Sequence, residues 1–266
     1  MTEMATRALT GAAYVALTVG AAYAGPLTTT LLFLPVCALA VGELYRLAYG
    51  AARPPLALPL FTSLLVYLAT AAAGMGQLPV QWAAAAIVVA FTVGLLQLLV
   101  VDRPDPLRRT GLLLCCIAYI ALPFGLITLL LADGPGLFLG FMILLWTNDT
   151  GAYLVGRAIG RTKLLPRTSP KKTVEGLLGG VVLAMAVGVA LAQAWPVLAR
   201  WQWIVCALVV AVCATIGDLL ESALKRSAGV KDSGTVLPGH GGILDRFDGF
   251  LLALPAMVVC VACLRG

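Results

Sequence analysis

Charge is what this sequence has least of. Only 11% of its 266 residues are Asp, Glu, Lys or Arg, against 61% apolar, and the mean hydropathy is +0.99. A soluble domain has too little interior to hide that much apolar surface, which excludes an ordinary water-soluble fold. There is one histidine, His240, so a His-rich metal centre is excluded, and no zinc-ligand spacing surrounds it. The seven cysteines show no C-x-x-C spacing and lie almost wholly inside apolar runs, where they read as small buried hydrophobes. No basic stretch is interleaved with aromatics, so nothing argues for nucleic-acid binding. The chain also lacks a long linker, a low-complexity tract and a visible repeat.

Apolar length is what remains. Crossing a bilayer takes roughly 20 apolar residues, and the runs 9–24, 27–48, 56–73, 80–101, 111–131, 136–155, 177–195, 201–220 and 243–264 supply nine spans. The expected fold is therefore all-α, a polytopic integral membrane protein with about nine transmembrane helices. The first run is short and ends in Ala22-Tyr23-Ala24, which resembles a signal-peptidase site. Its leading region holds only Arg7 and many spans follow, so a retained helix is expected.

With the N-terminus inside, the cytoplasmic side receives Arg7, Arg46, Arg53, Arg103, Arg108, Arg109, the 157–172 group, Lys225, Arg226, Lys231 and Arg246. Only Arg200 and Arg265 fall outside, the asymmetry that the positive-inside rule describes. The C-terminus is then external, and the net charge of +6 reflects topology and attraction to anionic lipid headgroups.

Charge also divides the chain along its length. Seven of the twelve carboxylates lie at or beyond Asp149. The expected organisation is a lipid-facing scaffold and dimer region over 1–135 and a catalytic region over 136–266, with cytoplasmic loops at 156–176 and 221–243.

Three clusters carry chemistry in that second region. Trp146-Thr147-Asn148-Asp149-Thr150 places an amide and a carboxylate in an apolar run, where they face either a polar interior or a neighbouring helix. The 157–172 loop holds six cations in sixteen residues, which suits either a topogenic loop or phosphate binding. At its end Ser169-Pro170-Lys171-Lys172-Thr173 precedes a helix start with Glu175 in the first turn, where free N–H groups and the dipole favour anions.

The third cluster is the most specific. If the eighth span stays helical past Leu220, then Asp218, Ser222, Lys225 and Arg226 share a face through i+4, i+3 and i+4 steps. Asp245 and Asp248 are spaced i+3 on the last helix, and between the two helices the 231–242 loop holds five glycines or prolines. Cations that bind phosphate, carboxylates that hold a divalent ion and glycines that let backbone N–H groups approach an anion point together to phosphoryl-transfer chemistry at a membrane.

Ser222-x-x-Lys225-Arg226-x4-Lys231-Asp232-x-Gly234-x3-Pro238-x-His240-Gly241-Gly242-x-x-Asp245-Arg246-x-Asp248 resembles the C-terminal motif of the phosphatidate cytidylyltransferase (CDP-diacylglycerol synthase) family. Asn148-Asp149-Thr150-x-Ala152-Tyr153 and the stretch from Lys163 to Gly176 resemble it too, so the motifs cover about half the chain. One departure is Gly249, where many relatives are expected to carry Ser.

The resemblance implies a polytopic inner-membrane nucleotidyltransferase that converts phosphatidate and CTP into CDP-diacylglycerol and pyrophosphate. It also implies magnesium, a potassium ion alongside, and a homodimer. On this reading Asp218, Asp245 and Asp248 are cation ligands, because magnesium takes one or two carboxylates plus water and substrate oxygens. Lys225, Arg226, Lys231 and Arg246 bind phosphates, and Lys171 and Lys172 cap the triphosphate or the lipid phosphate. Ser222, Asn148 and Asp149 hydrogen-bond or assist the cation. His240, with Gly241 and Gly242, either donates to a phosphate or caps the glycine loop. Two alternatives stay open: a CTP-dependent polyprenol or phytol kinase, and a phosphate-coupled transporter lined by Asp149 and Asp218.

Overall fold

The computed structural model describes residues 3–50, 56–100, 105–234 and 241–265. Arg53, Arg103 and His240 lie outside them.

The elements follow the apolar runs. In chain order they are α1 (Glu3–Ala24), α2 (Pro26–Tyr49), α3 (Ala57–Gly74), α4 (Val80–Leu96), α5 (Pro106–Cys115), α6 (Leu122–Leu130), α7 (Gly136–Ile159), β1 (Lys163–Leu165), β2 (Ser169–Thr173), α8 (Val174–Ala194), α9 (Arg200–Ser227) and α10 (Leu244–Arg265). In lipid every backbone polar group must find its partner inside the segment, and a helix does this at any sequence position. Helix α5 passes into α6 through a π-turn at Cys116–Ala121. The cause is Pro123, which has no N–H to offer Tyr119 and pushes the preceding turn wide.

Eight helices are long and apolar enough to cross a membrane among the described residues, with α5 and α6 counted as one. The ninth expected span is the apolar part of α1, Leu9–Ala24, which is shorter than the other eight. The chain is an all-α polytopic membrane protein, with one exception inside the 156–176 loop. There β1 and β2 form an antiparallel hairpin, Lys163 opposite Thr173 and Leu165 opposite Ser169.

The chain divides into two compact units, Met1–Ala132 with Asp232–Arg246, and Asp133–Lys231 with Phe247–Gly266. In the first, Tyr67 donates its hydroxyl to the Thr30 carbonyl at 2.6 Å, and Phe33 meets Phe124 with ring centroids 5.7 Å apart. Helix α4 buries only Ala83, Ala90 and Gly94, and most of its remaining apolar side chains are exposed or half-buried.

The second unit is built on small residues. Helix α8 buries Gly176, Gly180, Ala184, Gly188 and Leu191, a stripe at helical spacing. A Cβ on Gly176 would lie 2.8 Å from the Ala152 carbonyl of α7, and one on Gly188 would lie 3.0 Å from the Trp203 carbonyl of α9. Backbones in contact gain dispersion where lipid offers no hydrophobic drive. At the other end Phe141, Phe250 and Phe247 pack edge to face at 5.4 Å.

Candidate functional site

In the second unit the polar residues gather where α7, β2, α9 and α10 bring four side chains within electrostatic reach. Helix α9 does continue past Leu220, to Ser227, so Ser222 sits one turn beyond Asp218 and donates to its Oδ1 at 3.2 Å. The other oxygen of Asp218 pairs with Lys172 Nζ at 2.5 Å. Lys172 reaches it because side chains alternate along β2. It turns inward half-buried, while Lys171 stands exposed on the opposite face.

The hairpin is fixed in turn by the start of α8. Thr173 caps that helix, its Oγ accepting from Gly176 N at 3.1 Å. The Glu175 carboxylate folds back to accept from Arg161 N and Thr162 N at 3.0–3.1 Å. The first-turn acid that the sequence places at a dipole therefore also anchors the loop leading into β1.

Asp248 arrives from α10 at a helix crossing made by two glycines. A Cβ on Gly217 would lie 2.5 Å from the Asp248 carbonyl, and one on Gly249 would lie 3.2 Å from the Ala214 carbonyl. Each glycine is a chain neighbour of one of the two aspartates, so the close approach that only glycine permits is what brings Asp218 and Asp248 together. Asp149 completes the group from α7: Asp149, Asp218 and Asp248 act on one another's charge and on that of Lys172. Three carboxylates thus share one ammonium.

Other expected ligands have partners of their own in this unit. Lys225 pairs with Glu221 Oε2 at 2.6 Å and both are nearly buried, so a carboxylate absent from the sequence reading holds that lysine. Arg226 donates to the Val230 carbonyl at 2.9 Å, closing the end of α9, and Lys231 is exposed. Asn148 is 1% exposed, its Oδ1 lying against Gly180 without a hydrogen-bond partner among the described residues. It belongs to the α7–α8 contact, whereas its neighbour Asp149 is open.

The first unit holds the rest of the motif. Asp245 Oδ2 accepts from Ser233 N at 2.9 Å, Ser233 Oγ at 3.0 Å and Gly242 N at 2.8 Å. Gly241 has φ +83°, which closes the turn, and Arg246 is exposed. Glu43, from α2, accepts from Ile243 N and Leu244 N at 2.9 Å each, and Ser233 Oγ lies 3.1 Å from its Oε2, so the one hydroxyl hydrogen is shared between Glu43 and Asp245. Ser233 and residues 242–244 therefore close on two of the protein's own anions.

Residues 5–264 match the model of the cytidylyltransferase family. The chain belongs to that family. Among curated proteins it is 41% identical over 145 residues to a phosphatidate cytidylyltransferase of Staphylococcus saprophyticus, covering 54% of this chain and 56% of the relative. A Bacillus subtilis protein of the same name is 46% identical over 122 residues, 45% of each chain. The chain thus spans about half the length of the curated relatives it matches.

Within this family member the donor chemistry suits a hard cation. Among the described residues no three of His, Cys, Asp and Glu form a ready-made metal cage. Magnesium needs none, since it keeps water and takes its remaining oxygens from one or two carboxylates and a substrate phosphate. The surplus of carboxylate over ammonium around Asp218 is the observation that fits it.

Two residues escaped the sequence reading. Glu221 was signalled by its i+4 spacing to Lys225, and Glu43 by being a lone carboxylate in an apolar run.

Proposed function

We propose that this protein transfers a cytidylyl group from CTP to phosphatidate, giving CDP-diacylglycerol and pyrophosphate. Membership of the family supports the nucleotide chemistry, and the single structural observation that carries the site is the Lys172–Asp218 pair set among Ser222, Asp149 and Asp248. An oxygen of the phosphatidate phosphate attacks the α-phosphorus of CTP. One P–O bond forms and the bond to the β-phosphate breaks, with pyrophosphate leaving.

Bringing two polyanions together is the main obstacle, so positioning and charge neutralisation do most of the work. Without substrate Lys172 and Asp218 neutralise one another. A phosphate oxygen entering beside Lys172 takes over its ammonium and releases Asp218 toward a cation. Asp218 and Asp248 would hold magnesium, with Asp149 nearby, and a potassium ion would draw on the same carboxylate oxygens. When bound, magnesium supplies charge neutralisation on the leaving pyrophosphate. Asp245 remains a cation-ligand candidate by resemblance. Lys225, Arg226, Lys231, Arg246 and His240 remain phosphate-binding candidates by resemblance, whereas Lys171 faces away from the Asp218 group. A phosphatidate phosphate is already ionised near neutral pH, so no general base is required.

The setting is a cytoplasmic membrane, with the N-terminus and the site on the cytoplasmic side, the C-terminus external and the protein a homodimer. Support for alternating crossings comes from Glu43. It joins the late turns of α2 to the start of α10, and six membrane-length helices lie between them: α3, α4, α5–α6, α7, α8 and α9. An even number returns the chain to the same side.

The test is product analysis after incubating purified protein with phosphatidate, magnesium and CTP labelled at the α-phosphorus. Label in a lipid product supports cytidylyl transfer. Label confined to soluble CDP, with unlabelled phospholipid, would replace the reading with a kinase.

A further inference from the structure

Glu43 is a buried carboxylate that the transfer chemistry leaves unused. It lies in a membrane-length helix and is 0% exposed. A carboxylate buried there persists only if hydrogen bonds replace its lost hydration. Three donors from one segment reach it: Ile243 N to Oε1, and Leu244 N and Ser233 Oγ to Oε2. Two of those donors are the otherwise orphaned N–H groups at the positive end of the 22-residue helix α10.

The segment's sequence is fitted to this one group. A Cβ on Gly234 would lie 2.7 Å from Glu43 Oε1, and one on Gly242 would lie 2.5 Å from Oε2. Ser233 then links Glu43 to Asp245, because its hydroxyl lies within hydrogen-bond distance of both carboxylates and its N–H donates to Asp245 Oδ2. Gly242 N donates to the same oxygen. The position of Glu43 therefore fixes where α10 begins and how the Asp245 carboxylate is turned.

We infer that Glu43 is a positioning residue for the transfer reaction, acting through Ser233 and the first turn of α10 on Asp245. This rests on the function proposed above. A purely structural Glu43 would change how much protein folds, whereas a positioning Glu43 changes turnover by the protein that does fold.

The test compares Glu43→Gln, Glu43→Asp and Gly242→Ala with wild type in detergent, reading kcat and KM for CTP alongside amide exchange by mass spectrometry. Gln keeps the volume but turns an NH2 group toward either Ile243 N–H or Leu244 N–H. The expected result is roughly a ten- to hundredfold lower kcat with KM for CTP within about threefold, and faster exchange confined to peptides covering 232–246. Glu43→Asp, which keeps the charge, should recover part of that kcat. Gly242→Ala retains Glu43 but pushes a methyl against it, so it should reproduce the kcat loss even where Glu43→Gln fails to fold. Wild-type kcat in folded Glu43→Gln or in Gly242→Ala overturns the inference. If the wild-type protein makes no lipid product, the transfer reading itself fails. Exchange at Ile243 and Leu244 that is slow in wild type and fast in Glu43→Gln would still uphold the clamp.

Discussion

Two groups of carboxylates in this protein are balanced in opposite ways. In the second unit Asp218 is held by an ammonium and a hydroxyl, with Asp149 and Asp248 adding charge nearby. In the first unit Glu43 and Asp245 are held mainly by backbone N–H groups. A side-chain ammonium is a partner that an arriving phosphate can take over, but a backbone N–H at a helix start stays where the fold puts it. On the proposed reading Asp218 is poised to exchange its partner while Asp245 is fixed by backbone N–H groups, and spacing along the chain does not tell the two apart.

The contrast breaks most sharply at Asp218. Asp218→Asn keeps size and polarity but removes the counter-charge in direct contact with Lys172 and, on the proposed reading, a cation ligand. Catalytic efficiency should fall by roughly two orders of magnitude or more, while insertion and thermal midpoint change little. Near-normal turnover at low magnesium would remove Asp218 from the ligand set.

The glycine crossing sharpens it further. Gly217→Ala places a methyl 2.5 Å from the Asp248 carbonyl, so α9 and α10 must separate. Overpacking of this kind costs about 1–3 kcal/mol and should lower both stability and turnover. Gly249→Ala meets Ala214 at 3.2–3.4 Å, a contact that a small shift relieves, and should cost less than Gly217→Ala in an unfolding assay. Equal losses would mean that the crossing is not what sets Asp218 against Asp248.

A smaller effect is expected at the hairpin's anchor. Thr173→Ala removes the N-cap of α8 and should destabilise the protein by about 1 kcal/mol, measured as a lower thermal midpoint. No change would show that the hairpin holds the helix start without the cap.

The spans are legible because apolar length is a local property, and the start of α8 is legible from its first-turn acid Glu175, whereas the Thr173 cap emerges only in the structure. The face expected for Asp218 and Ser222 depends on helix past Leu220, which α9 supplies by running to Ser227, although Lys225 turns to Glu221 and not toward Asp218. Other features were hidden for physical reasons. Glu43 lies 190–201 residues from the groups it binds, so no local pattern announces them. The β1–β2 hairpin is three residues against five, with prolines at 166 and 170 and charge throughout, and it reads as loop. The glycines at 234, 241 and 242 were read as room for a substrate anion. Their backbone closes instead on Glu43 and Asp245, a distinction that depends on which anion is nearest.

The central claim, that the Asp218 group is where a substrate phosphate displaces a protein carboxylate, is tested most directly at adjacent lysines of one strand. Lys171 and Lys172 have the same charge, neighbours and loop, but alternation sends only Lys172 to Asp218. Measuring kcat/KM for CTP in Lys171→Gln and Lys172→Gln, with insertion checked separately, should show about a ten- to hundredfold loss for Lys172→Gln and a change within about threefold for Lys171→Gln. Equal losses, or two wild-type values, would contradict it.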